Sequence, residues 1–210
     1  MNKMFEKALI IIVIILVIGF LIKRKLPFWI GGIGEGFVTK KLLQLDPTHY
    51  KVLNDLLLPS KGSLDVTQID HIVVSNYGIF CIETKSYQGW IFGNANQEYW
   101  TQVIYHYKKR FYNPLRQNYA HVKAIEELVM PRYHEVQIIS LVAFPDADKL
   151  KISGTDFVGY ARDVVRKIQS FVNPIITDSE RDEIYKILIN ANIQDKEVRK
   201  LHDKGVKKLK

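Results

Sequence analysis

The sequence predicts an α/β (α+β) fold: one mixed β-sheet flanked by helices, with a single transmembrane helix ahead of it. Three observations carry this expectation. An uncharged apolar run lies near the N-terminus, and after it the order is helix, three strands, helix, strand, helices. A tight Gly-containing joint between two of the strands makes them an antiparallel hairpin.

The apolar run is Ala8 to Ile22, without a charged or polar side chain, and as a helix at about 1.5 Å per residue it spans roughly 22 Å. Lys7 and Lys23 can snorkel, Met4 and Phe5 extend the run on one side, and Trp29 offers an interfacial anchor on the other. A cleaved signal peptide needs small residues at its end, whereas this run ends in Phe20-Leu21-Ile22-Lys23-Arg24-Lys25. A soluble core helix is rarely apolar all round. The cations Lys23, Arg24 and Lys25 outweigh Lys3 and Lys7 offset by Glu6, so the expected protein is single-pass in the cell membrane, its C-terminal domain cytoplasmic.

Pro27 to Gly34 reads as a flexible joint, and Phe37, Val38, Leu42 and Leu45 have helical spacing over Glu35 to Leu45. Asp46-Pro47 stops that helix. Strand character follows in Tyr50 to Leu58, Thr67 to Ser75 and Ile79 to Ser86, with Asn76-Tyr77-Gly78 joining the last two. A further strand pair is predicted through Gly89 to Gly93 and Tyr99 to Tyr105. Asn113 caps a helix with Pro114 at its first position, running to about Met130. Val136 to Phe144 is a buried strand expected to join the main sheet, followed by helices at Tyr160 to Phe171 and from about Ser179. Thr177 and Glu180 have the spacing of a capping box. The expected division is 1–30 for the anchor and its flanks, 31–145 for the core, 146–194 for a helical part of the same domain, and 195–210 for a basic tail.

Composition narrows the chemistry. The solitary Cys81 excludes an internal disulfide and a thiolate zinc site, and it suits a reducing compartment. The net charge of +8 sits at the chain ends, in residues 1–30 and 195–210, which leaves 31–194 neutral. Nucleic acid would therefore have to be met by a local patch. No P-loop, His-rich metal box or G-x-S-x-G elbow is present, so helicase, kinase, zinc protease and serine hydrolase lack support.

The hairpin strands carry charges where a purely structural strand keeps Val or Ile: Asp70 in the first, Glu83 and Lys85 in the second. Alternation places Glu83 and Lys85 on one face, about 7 Å apart at Cα, and the hairpin lets Asp70 lie beside Glu83 there. Two carboxylates and an ammonium on one face suit metal-assisted phosphodiester cleavage, with Mg²⁺ (or Mn²⁺) as the natural ion. They equally suit a solvated sheet face with a cross-strand ion pair. Spacing does not choose between the two. His71 points away from Asp70 and is expected to be packed or hydrogen-bonded, and Cys81 to be a small buried hydrophobe.

A resemblance bears on the choice. Gly34-Glu35-Gly36, Val52-Leu53-Asn54-Asp55, Gln68-Ile69-Asp70-His71-Ile72-Val73-Val74, Gly78-Ile79-Phe80, Ile82-Glu83-Thr84-Lys85, Gly89, Trp100 and Asn113-Pro114-Leu115-Arg116-Gln117 follow one another here. In that order they resemble the nuclease-related domain (NERD) family over roughly Gly34 to Val129. The resemblance implies a PD-(D/E)xK, restriction-endonuclease-like fold with a mixed sheet. It implies that Asp70 and Glu83 ligate the metal and that Lys85 assists the attacking water. Glu35 and Gln117 match further positions of the pattern. From the residues alone, Glu35 also suits the positive end of the first helix, and Gln117 a merely exposed position.

From Tyr105 to Tyr112 the cations Lys108, Lys109 and Arg110 interleave with aromatic rings, followed by Arg116 and Tyr119. Such a segment suits a surface touching phosphates and bases, and it suits a solvated loop or exposed strand as well. The tail from Asp195, with a thin stripe of Val198, Leu201, Gly205 and Leu209, reads as frayed and solvated or as lying on anionic lipid or DNA. The expected function is a membrane-anchored, metal-dependent nuclease acting on DNA or a related nucleic acid. Its rival is a non-catalytic, membrane-tethered binding or scaffold protein with the same fold.

Overall fold

The computed structural model describes residues 11–16, 32–61 and 64–208. The run Ala8 to Ile22 falls mostly outside them. Residues 11–16 are helical, and their six apolar side chains are 50–66% exposed, so this turn and a half is not packed on the domain. Among the described residues no helix is long and apolar enough to cross a membrane.

Strands β1 (Tyr50–Pro59), β2 (Val66–Ser75), β3 (Gly78–Thr84), β7 (Ile138–Ala143) and β9 (Val158–Gly159) form a five-stranded sheet in the order β1-β2-β3-β7-β9. The β1-β2 and β2-β3 pairs are antiparallel, the β3-β7 and β7-β9 pairs parallel. Central β3 is buried throughout and apolar on both faces from Ile79 to Ile82, as suits a strand covered on both sides, with Glu83 and Thr84 at its end the buried polar exceptions. One face packs on α2 (Pro114–Val129) and α4 (Asp178–Ala191) through Ile72, Val74, Ile79, Val122, Ile125, Ile184 and Leu188. The other packs on α1 (32–42) and α3 (Ala161–Gln169) through Val38, Leu42, Val73, Phe80, Ile82, Val164 and Ile168.

The expectation of one mixed sheet needs correction: there are two mixed sheets flanked by helices. Both edges of β3 are taken, one by β2 and one by β7, so the chain leaving β3 has no free partner there. It turns through Gly89, whose φ of +79° suits glycine. A second, four-stranded sheet then builds in the order β6-β5-β4-β8 from β4 (Trp90–Asn94), β5 (Tyr99–Ile104), β6 (Tyr107–Tyr112) and β8 (Lys149–Ser153). Its inner face closes a third apolar cluster of Ile91, Trp100, Phe111 and Phe144, the last just past the end of β7. The segment 146–194, expected to be helical, thus adds β8 to one sheet and β9 to the other before α3 and α4.

Two helices differ from expectation. The first runs over 32–42 rather than Glu35 to Leu45, and Gly34 lies so close to Ser86 that a Cβ there would come within 1.7 Å of its Oγ. The tail is a helix, α5 (Lys196–Lys208), rather than frayed. Asp195 caps it by accepting the Glu197 and Val198 N–H groups, and Arg199 holds it down by donating to both Asp55 carboxylate oxygens and to Asn192 Oδ1.

Candidate functional site

The site starts from a break in the β1-β2 ladder. The register runs Asn54 to His71 and resumes at Leu56 to Ile69, omitting Asp55 and Asp70, and Asp55 has a φ of +53°. Leu53 and Leu56 enter the same core cluster, as do Ile69 and Ile72, so both strands change face at this point. Asp70, released from the ladder, turns its carboxylate across to β3, where Oδ2 accepts the Thr84 N–H at 2.7 Å. Irregularities of this kind re-aim a side chain without unravelling the sheet.

Glu83 shares the face of Cys81, under α2. Its Oε1 accepts from Lys85 Nζ at 2.6 Å and from Gln117 Nε2 at 2.8 Å, and Lys85 Nζ donates to Gln117 Oε1 at 2.8 Å. The three side chains close a triangle. Lys85 follows the last residue of β3, yet its N–H still bonds the Ala143 carbonyl of β7, which fixes its direction. Glu35, half-buried on α1, senses the charges of Glu83 and Lys85, and Asp70 senses Glu35. The structure therefore brings Glu83, Lys85 and Gln117 into direct contact, with Asp70 of β2 bonded to the intervening Thr84 amide and Glu35 on α1 within reach of their charge.

The electrostatics follow from burial and pairing. Burial raises Glu83, but the Lys85 ammonium and His121 outweigh it and bring the carboxyl down to about 2. Burial lowers Lys85, and the Glu83 carboxylate reverses that, so the ammonium lies above the ordinary lysine range. Asp70 goes the other way: burial first and the Glu83 charge second push it well above the usual carboxylate range, against the Thr84 N–H. Burial, then Asp55 and Glu83, raise Glu35.

One neighbour had a signal in the sequence that the spacing argument passed over. His121 stands one helical turn beyond Gln117, and its Nε2 lies 3.2 Å from Glu83 Oε2 while Nδ1 pairs with Thr67 Oγ1 at 2.7 Å. The Nε2 contact is close enough for an ion pair but misaligned for a hydrogen bond, and no other buried side-chain N or O among the described residues lacks a hydrogen-bond partner. Asn118 on the same helix donates to the Cys81 and Leu141 carbonyls and to Ser140 Oγ. His71 is buried on the opposite face, paired with Asn54 Oδ1 and Thr84 Oγ1, and burial lowers it to about 4. Cys81 is buried, its thiol donating to Asn118.

No three His, Cys, Asp or Glu side chains among the described residues converge as a complete metal cage requires. Mg²⁺ seldom uses such a cage; it takes one or two carboxylates and keeps waters and substrate oxygens. Asp70 and Glu83 fit that open type. Burial and the neighbouring Glu83 charge raise Asp70, and a cation beside the two carboxylates would offset that repulsion; His121 Nε2, 3.2 Å from Glu83 Oε2, is the one buried side-chain nitrogen among the described residues left without a hydrogen bond there.

The four cations expected to touch nucleic acid do not form one patch. Lys108 and Arg110 face the same side of β6, Lys109 points to the other, and Arg116 donates to the Asn96 carbonyl in the β4-β5 turn.

The family model of the nuclease-related domain matches residues 30–145, more than half of the chain. An uncharacterized protein of Bacillus anthracis is 38% identical over 200 residues, covering 93% of this chain and 92% of that protein. No solved structure matches the chain. The chain belongs to the nuclease-related domain family.

Proposed function

We propose that this protein is a membrane-anchored, metal-dependent nuclease that hydrolyses phosphodiester bonds in DNA or a related nucleic acid. The observation that carries the reading is the closed triangle of Glu83, Lys85 and Gln117 with Asp70 aimed at it from the neighbouring strand. A sheet face that served only solubility has no need of a nearly buried, mutually bonded charge pair. Asp70 and Glu83 would hold Mg²⁺ or Mn²⁺, which supplies a Lewis acid for phosphoryl oxygens and for water. Lys85, kept protonated by Glu83, acts as a fixed cation for the charge that develops on the phosphoryl group and as a donor that orients water, not as a general base. Gln117 holds both partners of the pair and sets their angle. Glu35, raised by burial and then by its acidic neighbours, is suited to accept or return a proton at the rim.

The remaining parts of the proposal are the anchor through residues 8–22 and a cytoplasmic orientation. The unpacked apolar turn at 11–16 and the cations Lys23, Arg24 and Lys25 support them. An alkaline phosphatase reporter fused at the C-terminus should be inactive; an active one reverses the orientation.

A non-catalytic tethered binding protein is the second reading, favoured by the neutral charge of residues 31–194. Cleavage of labelled single- and double-stranded DNA by the full-length chain, with Mg²⁺, Mn²⁺ or chelator, separates the two. Activity lost in chelator and in both Asp70→Ala and Lys85→Ala supports the nuclease. DNA binding without cleavage under either metal, with the fold intact, supports the binding protein.

A further inference from the structure

The outer face of the second sheet carries cations and aromatic rings in register. Register places Lys149, Trp90, Val103 and Lys108 in one row across β8, β4, β5 and β6, and Lys151, Phe92, Thr101 and Arg110 in the next. All four cations are exposed, and none forms an ion pair among the described residues. Elsewhere among the described residues Lys51, Lys61, Lys123, Lys167, Arg132 and Arg166 are paired with acids, and Lys40, Arg162 and Lys186, scattered over the helices, form no ion pair. On this face three of the four cations lie over aromatic rings. Lys151 Nζ is 4.7 Å from the Trp90 centroid and 5.1 Å from that of Phe92, Lys149 Nζ is 5.1 Å from Trp90, and Arg110 is 4.8 Å from Tyr99.

Trp90 and Tyr99 are 43% and 42% exposed, too much for rings whose purpose is to fill a core. A groove of about 1060 Å³ crosses this face, walled by Trp90, Phe92, Val103, Tyr105 and Lys108. Gln88 and Gly89, which also line it, follow Lys85 by only three and four residues, so one short segment of chain connects the groove wall to the candidate active site. Asp146 and Asp148 line it too, in the loop before β8, and would turn phosphates away from themselves toward the cation rows.

We infer that this face is a platform for single-stranded nucleic acid, holding unpaired bases on Trp90, Phe92 and Tyr99 and phosphates on Lys108, Arg110, Lys149 and Lys151. The inference rests on the nuclease reading and deepens it by naming the substrate form. Rings on a sheet can stack only on bases released from a duplex, whereas cations alone would serve either form. Strand spacing of about 4.8 Å sets the outer cations of one row roughly 14 Å apart, leaving the aromatic strip between two charged margins.

The test is fluorescence anisotropy of a labelled twenty-thymidine strand, and of its duplex with adenosine, added to the full-length chain in chelator. The single strand should bind more tightly, and Trp90→Ala should weaken it by roughly fivefold or more, with Trp90→Phe largely restoring it. Lys149→Gln with Lys151→Gln should weaken it and flatten its salt dependence. Preference for the duplex, no binding, or full binding by a folded Trp90→Ala variant overturns the inference. Because chelator removes cleavage from the readout, a chain that binds single strands but never cuts upholds the platform and defeats the nuclease. A chain that cuts DNA while Trp90→Ala binds unchanged does the reverse.

Discussion

At the scale of the residue, the Glu83–Lys85 pair is expensive to break and cheap to replace. Its side chains are 4% and 14% exposed, so removing one partner leaves a charge in a nearly dry site. Lys85→Ala should cost about 3–5 kcal/mol of stability by urea denaturation, and Glu83→Gln combined with Lys85→Met much less. Equal losses would mean that water reaches the pair freely. His71 gives a pH signature on the opposite face. Its folded value of about 4 lies below the ordinary 6.5, so the unfolded chain binds the extra proton between those values. Its contribution is complete above pH 6.5 and is lost as the pH falls toward 4, on the order of 3 kcal/mol in all. Asp70 and Glu35, whose carboxyls are raised, pull the other way, so denaturation of His71→Gln over the same pH range isolates the histidine. A variant with an unchanged pH profile would show that His71 is neutral in neither the way nor the place described.

At the scale of the element, α2 organises the site. It begins where Asn113 accepts the Leu115 N–H and donates to the Ala95 and Gln97 carbonyls, which ties the helix start to the β4-β5 turn. From there Gln117 and His121 reach Glu83, while Asn118 between them bridges β3 and β7 at their carbonyls. Asn118→Ala should cost about 3 kcal/mol, because buried carbonyls lose their donor, and calorimetry would read it as a lower Tm. Much of this was legible. Asn113-Pro114 marked the start of α2, and alternation along β3 brought Glu83 and Lys85 to one face, as the geometry has them. What escaped was set by partners distant in sequence. The second sheet follows from both edges of β3 being occupied, and β8, with Leu150 and Ile152 alternating against lysines, is too short to announce itself. His121 lay within reach of the helical period once Gln117 was singled out. The face change at Asp55 and Asp70 has no mark in composition, since it depends on two strands breaking together.

At the scale of the whole molecule, charge and architecture divide the labour. Positive charge concentrates at the two ends of the chain, while in the neutral middle four cations without ion pairs, Lys108, Arg110, Lys149 and Lys151, share the outer face of one sheet. One charged end is folded onto the domain as α5, clamped through Arg199 to Asp55, the residue whose left-handed backbone accompanies the release of Asp70. Arg199→Ala should lower stability by about 1–2 kcal/mol and loosen the site; hydrogen exchange at the Thr84 amide should accelerate, and unchanged exchange there would uncouple α5 from the site. The central claim is that the carboxylate pair and its cation perform phosphodiester hydrolysis. The measurement that tests it most directly is the Mg²⁺-dependent rate of DNA cleavage by the full-length chain beside Glu83→Gln, which keeps the shape of the side chain and removes its charge. A fall of roughly a hundredfold or more, with DNA binding and fold retained, is the predicted result. Cleavage at the unaltered rate would contradict the account.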